Sequence, residues 1–151
     1  MLSLKTILTL ATATTASALP ITAAETSCCF HLSTPSNEPL QQNPSGGSLH
    51  LSSSYPSLEY CFKSNSPTAI RDPQGSACYI DPQGQVICLD VTPGFAEWAL
   101  DSKGLLSYDG ETKFLACEGD GDDGEVIWSV DGQKTGCREV TLQAKDKKGT
   151  C

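Results

Sequence analysis

The stretch DPQGSACYIDPQGQVICLD, Asp72 to Asp90, carries the tetrapeptide Asp-Pro-Gln-Gly twice, nine residues apart. If Pro82-Gln83-Gly84 form a three-residue hairpin loop with Gly84 in the left-handed region, Asp81 faces Gln85, Ile80 faces Val86 and Cys78 faces Cys88. That register gathers Cys78, Ile80, Val86 and Cys88 on one face of the hairpin and puts Tyr79, Asp81, Gln85 and Ile87 on the other. A two-residue loop sets Ile80 against Gln85 instead, and a buried face penalises such a slip. The reading predicts two antiparallel strands joined by a Cys78–Cys88 disulfide.

The next turn uses the same device. In AEWALDSKGLLSY, Asp101 and Gly104 bracket the loop, so Leu100 pairs with Leu106 and Trp98 with Tyr108, placing four large apolar side chains on one face. The earlier copy, Asp72-Pro73-Gln74-Gly75, reads as a turn leading into the Cys78 strand. The recurrence is therefore taken as turn chemistry: Pro presets its φ, Gly supplies a positive φ and Asp caps the bend. A ligand-reading repeat is the alternative.

Upstream, residues 1–18 read as an export signal: Lys5, an apolar run from Ile7 to Ala13, then Ala16-Ser17-Ala18 as a cleavage site. A second cleavage site after Ala24 is conceivable, and the apolar run is shorter than the roughly 20 residues a bilayer span needs. Residues 19–151 are expected to form one secreted domain, with a Ser/Pro-rich part over 19–68 and a hairpin-rich core over 69–151.

Eight cysteines follow the signal: Cys28, Cys29, Cys61, Cys78, Cys88, Cys117, Cys137 and Cys151. An even number in an exported chain predicts four disulfides. No C-x-x-C pair occurs, and His31 and His50 lack zinc-site spacing, so no metal ligand is assigned. Cys28 and Cys29 are neighbours, which sends them to different partners and pins the N-terminal segment. The sequence leaves the remaining connectivity open. Removing Lys5 with the signal leaves 9 basic against 18 acidic residues, a net charge near −9 that disfavours nucleic acid and anionic membrane as partners.

From Ser33 to Thr68 weak strands around Leu49, Leu51, Leu58, Tyr60 and Phe62 are expected between polar loops. Further strands are expected over Lys113 to Cys117, Glu125 to Val130 and Cys137 to Ala144, and no window reads as a helix. The acidic run Glu118 to Glu125 invites a calcium reading. An EF-hand loop counted from Glu118 puts Asp123 at its sixth place and Ser129 at its twelfth, where Gly and Glu are needed, so a solvated hairpin loop is preferred.

No serine or cysteine has a base beside it in a recognisable signature. Glu97 and Asp109 are the first carboxylates to consider if the protein acted on glycosidic bonds, but no motif places them together. The chain is read as non-catalytic, without a cofactor.

The order FAEWALDSKGLLSYDGETKFLACEG, then VIWSVDGQKTGCREVTLQAKDKKGTC, resembles the cysteine-bearing C-terminal domain of fungal Pir-type cell-wall proteins. It also resembles small secreted fungal proteins that begin with a Cys-Cys-Phe segment, here Cys28-Cys29-Phe30. The resemblance covers Ser76 to Cys151 and implies a fold and an address at or beyond the wall. The glutamine-containing repeats through which Pir-type proteins are linked to β-1,3-glucan have no counterpart here beyond the Asp-Gly-Gln core of Asp131 to Gln133, so covalent attachment does not carry over.

The expectation is an all-β protein, a disulfide-stapled antiparallel sandwich or barrel of about eight to ten short strands, with a β-trefoil as the alternative. Its expected function is that of a secreted, monomeric cell-wall protein, structural or weakly binding β-glucan. The alternative is a freely secreted effector or elicitor acting on a host surface, with a glycan-active enzyme behind both.

Overall fold

The computed structural model describes residues 26–90, 97–121, 123–132 and 134–151. Residues 1–18, expected to be an export signal, therefore lie outside the described residues. Strands form where apolar residues alternate or where a polar segment is captured between two such strands. The first group comprises β1 (Ser27–Ser33), β2 (Gln41–Gln42), β3 (Leu49–Leu51) and β4 (Glu59–Lys63). The second is β5 (Ser66–Arg71), β6 (Ala77–Ile80), β7 (Val86–Asp90) and β8 (Trp98–Leu100). The third is β9 (Leu106–Tyr108), β10 (Lys113–Glu118), β11 (Glu125–Ser129), β12 (Arg138–Thr141) and β13 (Gln143–Gly149), with one 3-10 turn at Val130–Gly132 after β11.

Thirteen strands among the described residues exceed the eight to ten expected. The excess arises in the N-terminal half, where β1 alternates Cys28, Phe30 and Leu32 inward ahead of the region in which strands are expected, and β2 and β5 lack a clean alternation. In addition, the single strand expected over Cys137 to Ala144 is divided at Leu142 into β12 and β13. The strand expected to reach Val130 stops at Ser129, where the 3-10 turn begins.

All laddered pairs are antiparallel. One sheet has the order β13-β1-β4-β5-β6-β7, a second β12-β10-β11-β3-β2, and β8 pairs with β9. Three hairpins, β2–β3, β6–β7 and β10–β11, touch one another cyclically: Ser48 bridges to Ile87, Gln85 to Trp128, and Glu125 and Val126 pair with Leu51 and His50. The other strands form an incomplete ring, in which Leu105 bridges to Gln143 at the start of β13 and the Leu106 N–H of β9 donates to the carbonyl of Leu142, between β12 and β13, at 2.8 Å. The ring does not close as a hydrogen-bonded barrel, because β5 and β8 lie side by side without a ladder. The two large sheets thus face each other in a sandwich-like arrangement, while the threefold set of hairpins follows the pairing scheme of a β-trefoil.

One core fills the space between. Phe30, Tyr60, Ile70, Trp98, Leu106 and Ile127 are among its fully buried side chains. Trp98 stands edge-on to Tyr108 at 4.8 Å between centroids, and its indole N–H donates to the Cys78 carbonyl at 2.8 Å, so its polar atom is satisfied inside. Disulfides join Cys28 to Cys151, Cys29 to Cys61, Cys78 to Cys88 and Cys117 to Cys137. Three of them bind directly adjacent segments of the sheets, and the fourth fastens β1 to the C-terminal residue.

Candidate functional site: a cleft around Trp128

The turns set what projects into the clefts. Asp81 Oδ1 accepts the N–H groups of Gln83 at 2.9 Å and Gln85 at 2.8 Å, and Gly84 has φ +92°. Asp101 Oδ1 accepts those of Lys103 and Leu105, both at 2.8 Å, and Gly104 has φ +80°. Asp72 holds the N–H of Ser76 in the same way at 2.8 Å. The Asp-Pro-Gln-Gly copies and the Asp101 loop are thus one turn built three times. Cys78 lies opposite Cys88 and Ile80 opposite Val86, the register of a three-residue loop. Cys78, Val86 and Cys88 are buried, and Ile80 is half-buried.

Alternation along β11 turns Ile127 into the core and leaves Trp128 on the outer surface, half-exposed. Across from it, the chain returns from the 3-10 turn through Lys134, Thr135 and Gly136 to Cys137, which the disulfide to Cys117 fixes against β10. The result is an open cleft of about 480 Å³. Its walls include Gln85, Glu118, Asp120, Val126 and Trp128, and the Lys134 ammonium lies 3.9 Å from the centre of the Trp128 ring. An exposed cation–π contact of this kind is worth about 0.5–1 kcal/mol, little enough for a ligand to displace. An indole face, an amide and two carboxylates around one open cleft suit a pyranose: its C–H face stacks on the ring while its hydroxyls donate to the carboxylates and exchange hydrogen bonds with the amide.

Glu97 and Asp109 are brought together by the β8–β9 hairpin, where the Asp109 N–H donates to the Glu97 carbonyl at 3.0 Å. Their side chains hydrogen-bond to each other, which raises the Glu97 pKa above the usual carboxylate range. A glycosidase pair stands roughly 5 to 9.5 Å apart to admit the sugar oxygen or a water, whereas these groups touch. They are therefore ill-placed as the acid and base or nucleophile of such a pair.

In the acidic run, Asp122 lies outside the described residues. Asp123 is engaged: its carbonyl receives His50 Nδ1 at 2.9 Å and its carboxylate accepts the Tyr55 hydroxyl at 2.8 Å. His50, which lacks zinc-site spacing in the sequence, is a buried strut between Ser48 and this loop. His31 sits on β1 opposite Glu59. The one cluster of potential metal ligands among the described residues is Cys29, Glu59 and Cys61, and its two sulfurs are bonded to each other, leaving no thiolate to coordinate.

Sequence reasoning passed over Trp128 as an ordinary strand residue. The available signal was its place one step out of phase with the buried Ile127. No protein-family model matches the chain, and a search of curated proteins finds no match.

Proposed function

We propose that this is a secreted, non-catalytic, disulfide-stapled protein of the fungal cell wall that contacts wall β-glucan through the Trp128 cleft. The observation that carries the reading is the half-exposed indole of Trp128 in an open cleft with Gln85, Glu118 and Asp120 around it. Sugar binding by stacking on a rigid aromatic needs no cofactor and tolerates a weak, repeated contact, which suits a polymeric partner. Four disulfides fit an oxidising compartment, and the Pir-type resemblance of Ser76 to Cys151 supplies the wall address.

The test has two arms. Purified protein is mixed with insoluble β-1,3-glucan, and a tagged copy expressed in a fungus is fractionated between wall and medium. Retention on the glucan is expected to fall about tenfold in Trp128→Ala, the equivalent of losing roughly 1.4 kcal/mol of stacking. Equal retention of both proteins, or a tagged protein found only in the medium, overturns the reading.

A further inference from the structure

A smaller cavity of about 160 Å³ lies between the first hairpin, the Asp72–Ser76 turn and the end of β7, on a different part of the surface from the Trp128 cleft. Its walls are apolar, with Pro44, Pro56 and Leu58 among them, and Leu89 stands at its edge. Leu89 is the one large hydrophobic side chain among the described residues that is exposed, at 50%.

Asp72 also lines this cavity, and only 7% of its surface is exposed. Its Oδ1 accepts the Ser76 N–H at 2.8 Å and its Oδ2 the side-chain amide of Gln42 at 2.8 Å. Gln42 is in turn held by the buried Tyr60 hydroxyl, which donates to Gln42 Oε1 at 3.2 Å. All these donors are neutral. The adjacent Arg71 guanidinium is spent on the Gly75 carbonyl at 2.6 Å, and none of the ion pairs among the described residues includes Asp72. Asp101 caps an identical turn in an exposed position and Asp81 does so half-buried at the edge of an open recess; of the three only Asp72 is buried.

A buried carboxylate without a cation is costly, and it retains acceptor capacity beyond two hydrogen bonds. The Thr34–Glu38 turn makes the same backbone bonds, but the residue at the Asp72 position there is Thr34, whose uncharged hydroxyl accepts the Glu38 N–H at 3.2 Å. At Asp72 the cap is a carboxylate instead, and the cavity it lines is where a cation from outside can reach it.

We infer that the Asp72 cavity binds a primary ammonium carried on a short alkyl stem, the stem lying between Leu58, Pro56 and Leu89 and the ammonium donating to the Asp72 carboxylate. The same chemistry is offered by a free alkylamine and by a lysine side chain. Neutral alcohols lack the charge, and carboxylates carry the wrong sign. The inference does not rest on the glycan reading.

The experiment is an amide-resolved NMR titration of the intact protein with n-butylammonium chloride, against n-butanol, sodium butyrate and sodium chloride at equal ionic strength. Saturable shifts are expected at Gly47, Leu58, Ser76 and Leu89 with butylammonium alone. Nα-acetyl-lysine N-methylamide forms a second arm: binding tighter than butylammonium identifies a peptide-borne lysine as the source, and weaker binding a free amine. Asp72→Asn is expected to weaken binding at least tenfold, and Trp128→Ala to leave it unchanged. Should Asp72→Asn fail to fold, Leu89→Lys carries the test, since it places a competing ammonium at the rim and should also weaken binding. No saturable shift, equal shifts with butanol, or unchanged binding in the folded variant overturns the inference.

Discussion

The amide of Cys88 donates to the carbonyl of Gly47 at 2.8 Å, tying the corner of one hairpin to the strand of the next. The Ser129 amide does the same to Gly84 at 2.8 Å, one hairpin further round. These bonds need backbone in close approach, and Gly47, at φ +68°, supplies it: a Cβ there would lie 2.6 Å from the Cys88 carbonyl oxygen. Gly47→Ala is expected to cost about 3 kcal/mol, combining left-handed strain with the clash. Gly75→Ala, at φ +88° with nothing within 4 Å, should cost only the conformational part, about 1 kcal/mol. Urea midpoints of the two variants measure the difference, and equal midpoints would remove the hairpin contact from the account.

Disulfide removal should be graded by the length of chain each bond closes. Cys28–Cys151 spans a separation of 123 residues and Cys78–Cys88 one of 10. Chain-entropy reasoning gives losses of about 5 and about 3 kcal/mol respectively for the paired Cys→Ala variants. Denaturation of the two double variants checks the order, and the reverse order would show that native packing around the sulfurs dominates.

His50 makes stability depend on pH. Burial pushes its pKa below the ordinary value, more than the bond to the Asp123 carbonyl raises it. The folded protein therefore takes up the proton less readily than the unfolded chain. Its contribution is complete above the unfolded value of roughly 6.5 and is lost as pH falls below it. Comparing urea midpoints at pH 7.5 and 5 in the parent and in His50→Gln isolates this slope. A parent slope no steeper than that of the variant would contradict the assignment.

Glu97 acts in the opposite sense. Its hydrogen bond to Asp109 favours the protonated carboxyl, so its folded-state pKa is raised. The stability it confers is present at low pH and is lost as pH rises through that value. Glu97→Gln keeps a donor toward Asp109 and removes the repulsion, so it should raise the melting temperature at pH 7 and change it little near pH 4. A melting temperature lowered at neutral pH would refute the shared proton.

Local chemistry was legible in the sequence where a few adjacent residues decide the backbone. Asp81 with Gly84 and Asp101 with Gly104 specify their turns, and the turns fix the facing of Cys78 with Cys88 and of Trp98 with Tyr108. The Glu97–Asp109 contact lies one step beyond that last register, but no motif places the two together in the sequence, and it is found only in the folded hairpin. What could not be read depends on partners far along the chain. Gln41 and Gln42 form a strand because β3 captures them, not because of an apolar pattern. Trp128 becomes a candidate binding platform only when the Cys117–Cys137 bond draws Lys134 over it, and Asp72 becomes a buried charge only because Gln42 and Tyr60 arrive from another part of the chain.

Cys28 and Cys151 bring the two ends of the described chain to one place, beside the β1–β13 ladder. Tension applied between those residues passes through a covalent sulfur bond and bypasses the hydrogen-bonded strands, so the body between them cannot be drawn out like an unzipping hairpin. Only reduction, not force of the size that separates β-strands, would let it lengthen.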